Sequence, residues 1–114
     1  AQRRQIHLKN GGSIVLEQTE ALLVIDVNSG KAQAADNAKL RLQTNLQAAR
    51  EIARQLRLRN ISGLVVIDFI RLAEAGAQSE LAEQFKVALD RDPARLTRGG
   101  FTKLGLYELI RQTR

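Results

Sequence analysis

The stretch ALLVIDV at residues 21–27 decides the fold, because its apolar residues occupy both faces of a predicted strand. A strand of that composition is typical of the interior of a sheet. The stretch LVVIDFI at residues 64–70 is similar and also carries an aspartate. The sequence therefore places Asp26 and Asp68 near the ends of two apolar strands, where an unpaired carboxylate is costly to bury.

A helix is predicted between these two strands, over residues 44–59. Thr44 and Gln47 have the spacing of a capping box, in which two side chains satisfy free backbone amides at a helix start. Apolar residues then recur at helical spacing. Because a strand, a helix and a strand in this order form a βαβ unit, we expect the two strands to be parallel.

The flanking segments predict the rest of the sheet. Asn10-Gly11-Gly12 is a strong hairpin signal between two alternating runs. The further predicted elements are strands over residues 5–9, 13–18 and 94–102, a loop over 29–43, a helix over 78–90 and a terminal helix over 104–113. We therefore predict one α/β (α+β) domain over residues 1–114: a mixed β-sheet with an N-terminal antiparallel hairpin, a βαβ unit and helices packed on the sheet.

Charge and composition narrow the class of partner. The net charge of +6, from 18 basic and 12 acidic side chains, favours a polyanion such as nucleic acid, although it is also compatible with a solvated surplus of charge. Phe and Tyr together number only four, which is few for a protein that binds single strands by stacking. No apolar run approaches the length that spans a bilayer, so we expect no membrane association.

Cysteine is absent from the chain. Its absence excludes disulfides and thiolate zinc sites, and it is typical of a reducing compartment, so we expect a cytoplasmic protein. The sequence begins without an initiator methionine and leads directly into a predicted strand. We therefore interpret it as a piece of a longer parent chain.

The two aspartates are the candidate chemical site. Ligands bind at the carboxyl ends of strands in open α/β sheets, and two adjacent carboxylates repel unless a cation joins them or one is protonated. Mg²⁺ commonly binds through one or two carboxylates, several waters and a substrate phosphate. Asn28, two residues beyond Asp26, could orient that carboxylate. The alternative is that both aspartates cap turns or pair with arginines.

Three long runs of the chain closely resemble the catalytic core of the ribonuclease E/G family. They are GGSIVLEQTEALLVIDVNSG at 11–30, TNLQAAREIARQLRLRNISGLVVIDFI at 44–70 and ARLTRGGFTKLGLYELIRQTR at 94–114. The match covers about residues 8–114 and resembles the subdomain named for its likeness to deoxyribonuclease I. It implies a Mg²⁺-dependent endoribonuclease that cuts single-stranded RNA and leaves a 5′ phosphate.

The resemblance also implies roles for single residues. Asp26 and Asp68 would bind the metal, Asn28 would hold Asp26 in place, and Arg95 would contact the RNA near the scissile phosphate. Lys31, which follows Ser29-Gly30 without the spacing of a P-loop, is a further candidate RNA contact. The chain departs from the family pattern at Arg71, where the family usually has aspartate.

Three classes of function remain open. The first is the endoribonuclease core without the family's RNA-binding domains, either isolated from a longer parent chain or unusually short. The second is a noncatalytic RNA-binding or dimerisation module derived from the same family, in which this subdomain also lies at a protomer contact. The third is an unrelated Mg²⁺-dependent phosphoesterase on a similar sheet. Intact Asp26, Asn28 and Asp68 favour the first class.

Overall fold

One six-stranded sheet organises the chain, and the computed structural model describes residues 2–30 and 37–113 of it. The strands are β1 (Gln2–His7), β2 (Ser13–Gln18), β3 (Leu22–Asn28), β4 (Gly63–Asp68), β5 (Arg95–Phe101) and β6 (Tyr107–Gln112), and the helices are α1 (Ala38–Leu58) and α2 (Ala75–Leu89). The strand order is β1-β2-β3-β4-β6-β5. The mixed sheet, the N-terminal antiparallel hairpin and the parallel pairing of β3 with β4 across α1 are confirmed.

Both helices cover the same face of the sheet. Leu23, Ile25 and Val27 of β3 point into the core with the buried residues of both helices. The opposite face is open in the described part of the chain, where Val24 and Leu64 are 38% and 39% exposed. The central position of β3 is as predicted, but this strand is buried on one face rather than two.

Helix α1 begins earlier than the capping-box pattern predicts. Asn37 is the N-cap, and its side-chain oxygen accepts a hydrogen bond from the backbone N–H of Leu40. Thr44 lies inside the helix, where its hydroxyl donates to the carbonyl of Leu40. The predicted start at Thr44 is wrong, because a Thr hydroxyl can satisfy a carbonyl of the preceding turn as well as a free amide. In the described part of the chain, neither helix has the length and apolarity needed to cross a bilayer.

The predicted helix over residues 104–113 is wrong, because this segment contains strand β6. Its side chains alternate strictly between buried and exposed from Tyr107 to Gln112, which is the period of a strand. A tight turn before it places Gly105 at φ +93 and joins β5 to β6 as an antiparallel hairpin. The strand is favoured over a helix because it pairs with β4 on its other side.

Strands β1 and β5 form the two edges of the sheet, since each pairs with a single described strand. Arg3 and Arg4 of β1 are exposed. In β5, the register with β6 shifts between Arg98 and Gly100, which is the position of a β-bulge.

A buried ion pair closes the end of the sheet at which β6 finishes. The side chains of Arg111 and Asp92 are 3% and 0% exposed. Arg111 donates from Nε and Nη2 to the two oxygens of Asp92, at 2.8 and 2.9 Å, and from Nη1 to the Asn60 side chain and the Ile61 carbonyl. The guanidinium thereby joins β6 to the segments that follow both helices.

Candidate active site

Asp26 and Asp68 are direct neighbours on the two parallel strands. The register pairs Asp26 of β3 with Asp68 of β4, as expected from the βαβ pattern. Both residues are exposed, and Asn28 is exposed two residues beyond Asp26. Because side chains alternate along a strand, Asn28 lies on the same face of β3 as Asp26. The structure therefore brings the three predicted site residues together at the carboxyl ends of β3 and β4.

The two carboxylates affect each other electrostatically. Partial burial, followed in size by repulsion from the Asp68 carboxylate, raises the pKa of Asp26 above its ordinary value. A hydrogen bond from the backbone of Val27 acts in the opposite direction but does not cancel the rise. The site thus holds negative charge that a proton or a cation would relieve.

The donor set fits oxygen-preferring divalent cations such as Mg²⁺ better than it fits zinc. Within residues 2–30 and 37–113, neither Asp26 nor Asp68 forms an ion pair, so the alternative of pairing with arginines is not found there. In those residues no group of three or more His, Cys, Asp or Glu side chains is placed to hold a metal. Two oxygen donors suit Mg²⁺, which keeps several waters and takes further ligands from substrate phosphates. They do not provide the all-protein cage that is typical of structural zinc.

A cavity of about 490 Å³ opens beside the two aspartates. It lies between the carboxyl ends of β3 and β4, the first turns of α2, and the turn that joins β5 to β6. Its lining residues are Asp26, Val27, Asn28, Ser29, Asp68, Phe69, Ile70, Arg71, Leu72, Gln78, Leu81, Phe101 and Gly105. The two aspartates therefore line a space large enough for a small ligand or a short part of a polymer.

An aromatic cluster supports the cavity from the core. Phe69 follows Asp68 directly and is 5% exposed. Its ring meets Phe85 edge to face at 5.7 Å and lies 6.1 Å from Phe101. Tyr107 completes the cluster, at 5.0 Å from Phe85. All four aromatic residues of the chain are thus used in packing, which positions Asp68 and leaves no separate stacking platform in the described residues.

The turn between β1 and β2 braces the end of β3. A side chain on Gly30 would collide with the carbonyl of Gly11, and one on Gly12 would lie 2.8 Å from the carbonyl oxygen of Asn28. Glycine is therefore required where the two backbones approach each other. Asn10 fixes the turn to α1 by donating to the Thr44 hydroxyl at 2.7 Å. This contact gives Thr44 a role in holding the turn, which the sequence alone does not reveal.

Asn45 braces the end of β4 in a similar way, and sequence reasoning missed this role. Its side chain is fully buried. It accepts a hydrogen bond from the Ile70 N–H at 2.9 Å and donates to the Ile70 carbonyl at 2.8 Å. A buried amide that satisfies both backbone groups of one residue fixes the segment that follows Asp68. A polar residue inside the apolar stripe of α1 is the signal that could have indicated it.

The structure gives different information on the two predicted RNA contacts, Lys31 and Arg95. Lys31 lies outside the described residues. Arg95 is exposed and pairs in register with Gln112. The end of β6 near the site is Tyr107, which pairs with Ile67, the residue before Asp68. Arg95 therefore lies toward the opposite end of the sheet from Asp26 and Asp68, and the structure does not bring it to their cavity. Its role in RNA binding stays a prediction.

Comparison with known families places this geometry in context. The family model described as "Ribonuclease E/G family" matches residues 1–114, which is the whole chain and includes every site residue described above.

Individual relatives agree. The chain is 47% identical over 113 residues to ribonuclease E of Synechocystis sp. and 43% identical over 111 residues to ribonuclease E of Escherichia coli. It is 42% identical over 112 residues to the chloroplastic ribonuclease E/G-like protein of Arabidopsis thaliana. These matches cover 98%, 96% and 96% of the chain, but only 17%, 10% and 11% of the respective relatives.

Proposed function

Since the chain belongs to the ribonuclease E/G family, we propose that it is the catalytic part of a Mg²⁺-dependent endoribonuclease that hydrolyses phosphodiester bonds in single-stranded RNA. The observation that carries the proposal is the direct register of Asp26 with Asp68 at the mouth of a cavity. The chain spans a small share of its relatives, so the RNA-binding domains and the assembly of the whole protein are part of the proposal.

The residues of the chain have distinct roles in the proposed reaction. Asp26 and Asp68 would hold the metal ion, and Asn28 would orient Asp26 through its amide. When bound, Mg²⁺ lowers the pKa of water and offsets charge that develops on a phosphate. The oxygen of a water molecule attacks phosphorus, the bond to the 3′ oxygen breaks, and that oxygen takes a proton. The products are a 3′ hydroxyl and a 5′ phosphate.

The test compares metal dependence with a matched carboxylate variant. We expect the full protein encoded by the gene to cleave a single-stranded oligoribonucleotide in Mg²⁺, to spare the matching duplex, and to stop in excess chelator. Asp68→Asn removes the charge and keeps the volume, so it should lower the rate by at least about a hundredfold.

The control is Glu17→Gln, because Glu17 is an exposed carboxylate on the neighbouring strand β2, outside the cavity. This variant should cleave at the wild-type rate. Full activity of Asp68→Asn, or activity in chelator, would overturn the metal assignment. Products that carry a 5′ hydroxyl would overturn the proposed attack by water.

A second candidate is an assembly module that forms a homodimer. It is favoured by the apolar residues Val24, Leu64 and Ile110, which are 38%, 39% and 43% exposed on the open face of the sheet. Exposed apolar patches often mark protein contacts. If this face joins two copies, Leu64→Lys should convert a dimer to a monomer in sedimentation measurements. If the variant loses the dimer but still cleaves RNA, the open face serves assembly and is not needed for catalysis.

A further inference from the structure

The cavity beside the aspartates has an unusual balance of charge for a site that receives a polyanion. Asp26 and Asp68 are both among its lining residues, and Arg71 is the only cation among the described residues that line it. A phosphate approaching two carboxylates is repelled by both. A cation in the same cavity reduces that repulsion and offers a point of attachment.

The chain holds Arg71 close to the carboxylates. It follows Asp68 by three residues, which span at most about 11 Å. Ile70, its immediate neighbour, is fixed through both backbone groups by the fully buried Asn45. The starting point of the Arg71 side chain is therefore anchored to α1.

The side chain itself is available for a ligand. Arg71 is exposed, and it forms no ion pair or side-chain hydrogen bond within the described residues. Three other arginines have acidic partners: Arg111 is buried against Asp92, Arg54 pairs with Glu51 and Arg98 pairs with Asp90. Arg71 thus combines a fixed base with an unused guanidinium at the site.

We propose that Arg71 is a substrate-binding residue that holds a backbone phosphate of the RNA strand next to the phosphate positioned at Asp26 and Asp68. The inference rests on the proposed function, which it extends by assigning a phosphate contact within this chain. A guanidinium suits this role because its planar donors contact two phosphate oxygens at once, which an ammonium cannot do in the same geometry.

The experiment measures cleavage and binding of a single-stranded oligoribonucleotide by the full protein encoded by the gene. Arg71→Gln should raise KM about tenfold with a much smaller change in kcat, because it removes a charge-assisted contact that is made in both the bound and the reacting state. It should also make the slope of log K against log salt shallower by about 0.7. Arg71→Lys should restore part of the affinity, since it keeps the charge and loses the paired contact.

Arg91→Gln is the matched control. Arg91 is exposed and lies just beyond the far end of α2, whose 15 residues separate the two ends by about 20 Å. The variant removes the same charge from the protein, so it corrects for a general loss of attraction to RNA. We expect its KM to change by less than about twofold.

The outcomes separate the inference from the proposed function. If the wild type cleaves in Mg²⁺ and Arg71→Gln behaves like Arg91→Gln, the Arg71 inference is overturned and the proposed function stands. If the wild type neither binds nor cleaves RNA, both are overturned. A tenfold rise in KM that is confined to Arg71→Gln and partly reversed by Arg71→Lys supports the phosphate contact.

Discussion

At the carboxyl end of β4, Asp26 and Asp68 stand side by side without a cationic partner in the described chain, whereas at the other end of the sheet Asp92 is enclosed by Arg111. The first pair is exposed, and repulsion contributes to the raised pKa of Asp26. For Asp92, burial alone would raise the pKa, but hydrogen bonds from Arg111 and the Ala94 backbone, with nearby positive charge, lower it below its ordinary value.

The difference shows that aspartate has a buried cationic partner at one end of the sheet and, within the described residues, none at the other. Arg111 donates hydrogen bonds to Asp92, Asn60 and Ile61. At this end of the sheet, the buried positive and negative charges therefore neutralise each other. At the end that carries Asp26 and Asp68, neutral amide side chains fix the backbone. Asn45 holds Ile70, and Asn10 joins the turn between β1 and β2 to Thr44. The carboxylates there are positioned without being neutralised.

The strongest test of this contrast removes the cation from the closed end. Arg111→Met should lower the free energy of unfolding by about 3–5 kcal/mol, because it leaves the buried Asp92 carboxylate without its paired guanidinium. Urea denaturation measures the change. The double variant Arg111→Met with Asp92→Leu should recover part of the loss. A loss below about 1 kcal/mol for the single variant would mean that water reaches Asp92 and that the two ends are alike.

The next test removes the neutral brace at the site end. Asn45→Ala should cost about 2–3 kcal/mol, since it leaves the N–H and carbonyl of Ile70 without their partners. Hydrogen exchange of the Ile70 amide should become faster than that of the neighbouring strand. The control Asn37→Ala removes only the exposed cap of α1 and should cost about 1 kcal/mol. Unchanged exchange at Ile70 would contradict the bracing role.

The sign of a pH effect sharpens the comparison further. The pKa of Asp92 is lowered in the folded protein. Asp92 therefore stabilises the fold at pH values above the pKa that it has in the unfolded chain, and this contribution is lost as the pH falls through the folded-state pKa. The pKa of Asp26 is raised in the folded protein. Asp26 therefore favours the fold at pH values below the pKa that it has in the unfolded chain, and that contribution is lost as the pH rises through the folded-state pKa. Asp26→Asn should therefore stabilise the protein at pH 7 by less than about 1 kcal/mol.

Thermal denaturation at two pH values distinguishes the ends. The gain from Asp26→Asn should disappear at a pH below the unfolded pKa, where the carboxyl of the wild type is protonated. Asp92→Asn should destabilise the protein at pH 7 and converge on the wild type in acid. A stabilising effect of Asp92→Asn at pH 7 would reverse the assignment of the two ends.

The smallest expected effect concerns Arg95. Because the register places it toward the closed end of the sheet, Arg95→Ala should leave kcat unchanged and raise KM by at most about threefold, through reduced attraction to RNA. Steady-state kinetics of the full protein checks this outcome. A fall in kcat of tenfold or more would show that Arg95 reaches the reacting phosphate, as the family resemblance implies, and that RNA contacts both ends of the sheet.

The sequence could predict that Asp26 and Asp68 are neighbours because local patterns specify their pairing. Two apolar strands joined by an amphipathic helix require parallel pairing, and this alone brings Asp26 next to Asp68. The strand over residues 107–112 could not be recognised in the same way, because its residues also suit a helix and its state depends on pairing with β4 and β5.

Other features depend on contacts between distant segments. The Asn45–Ile70 contact joins residues that are 25 apart in the chain, and the pairing of Arg111 with Asp92 spans 19. The position of Arg95 follows from a strand order in which β6 lies between β4 and β5, and no local pattern encodes that order.

The two edge strands have a consequence for the protein in concentrated solution. An edge strand exposes unpaired backbone groups that can recruit a strand from another molecule and start aggregation. Here Arg3 and Arg4 line the β1 edge, and the β5 edge combines Arg98 with a bulge. Repulsion between like charges and an irregular backbone both oppose the pairing of an edge strand with an edge strand of another molecule. The arrangement disfavours such pairing at both edges of the described sheet.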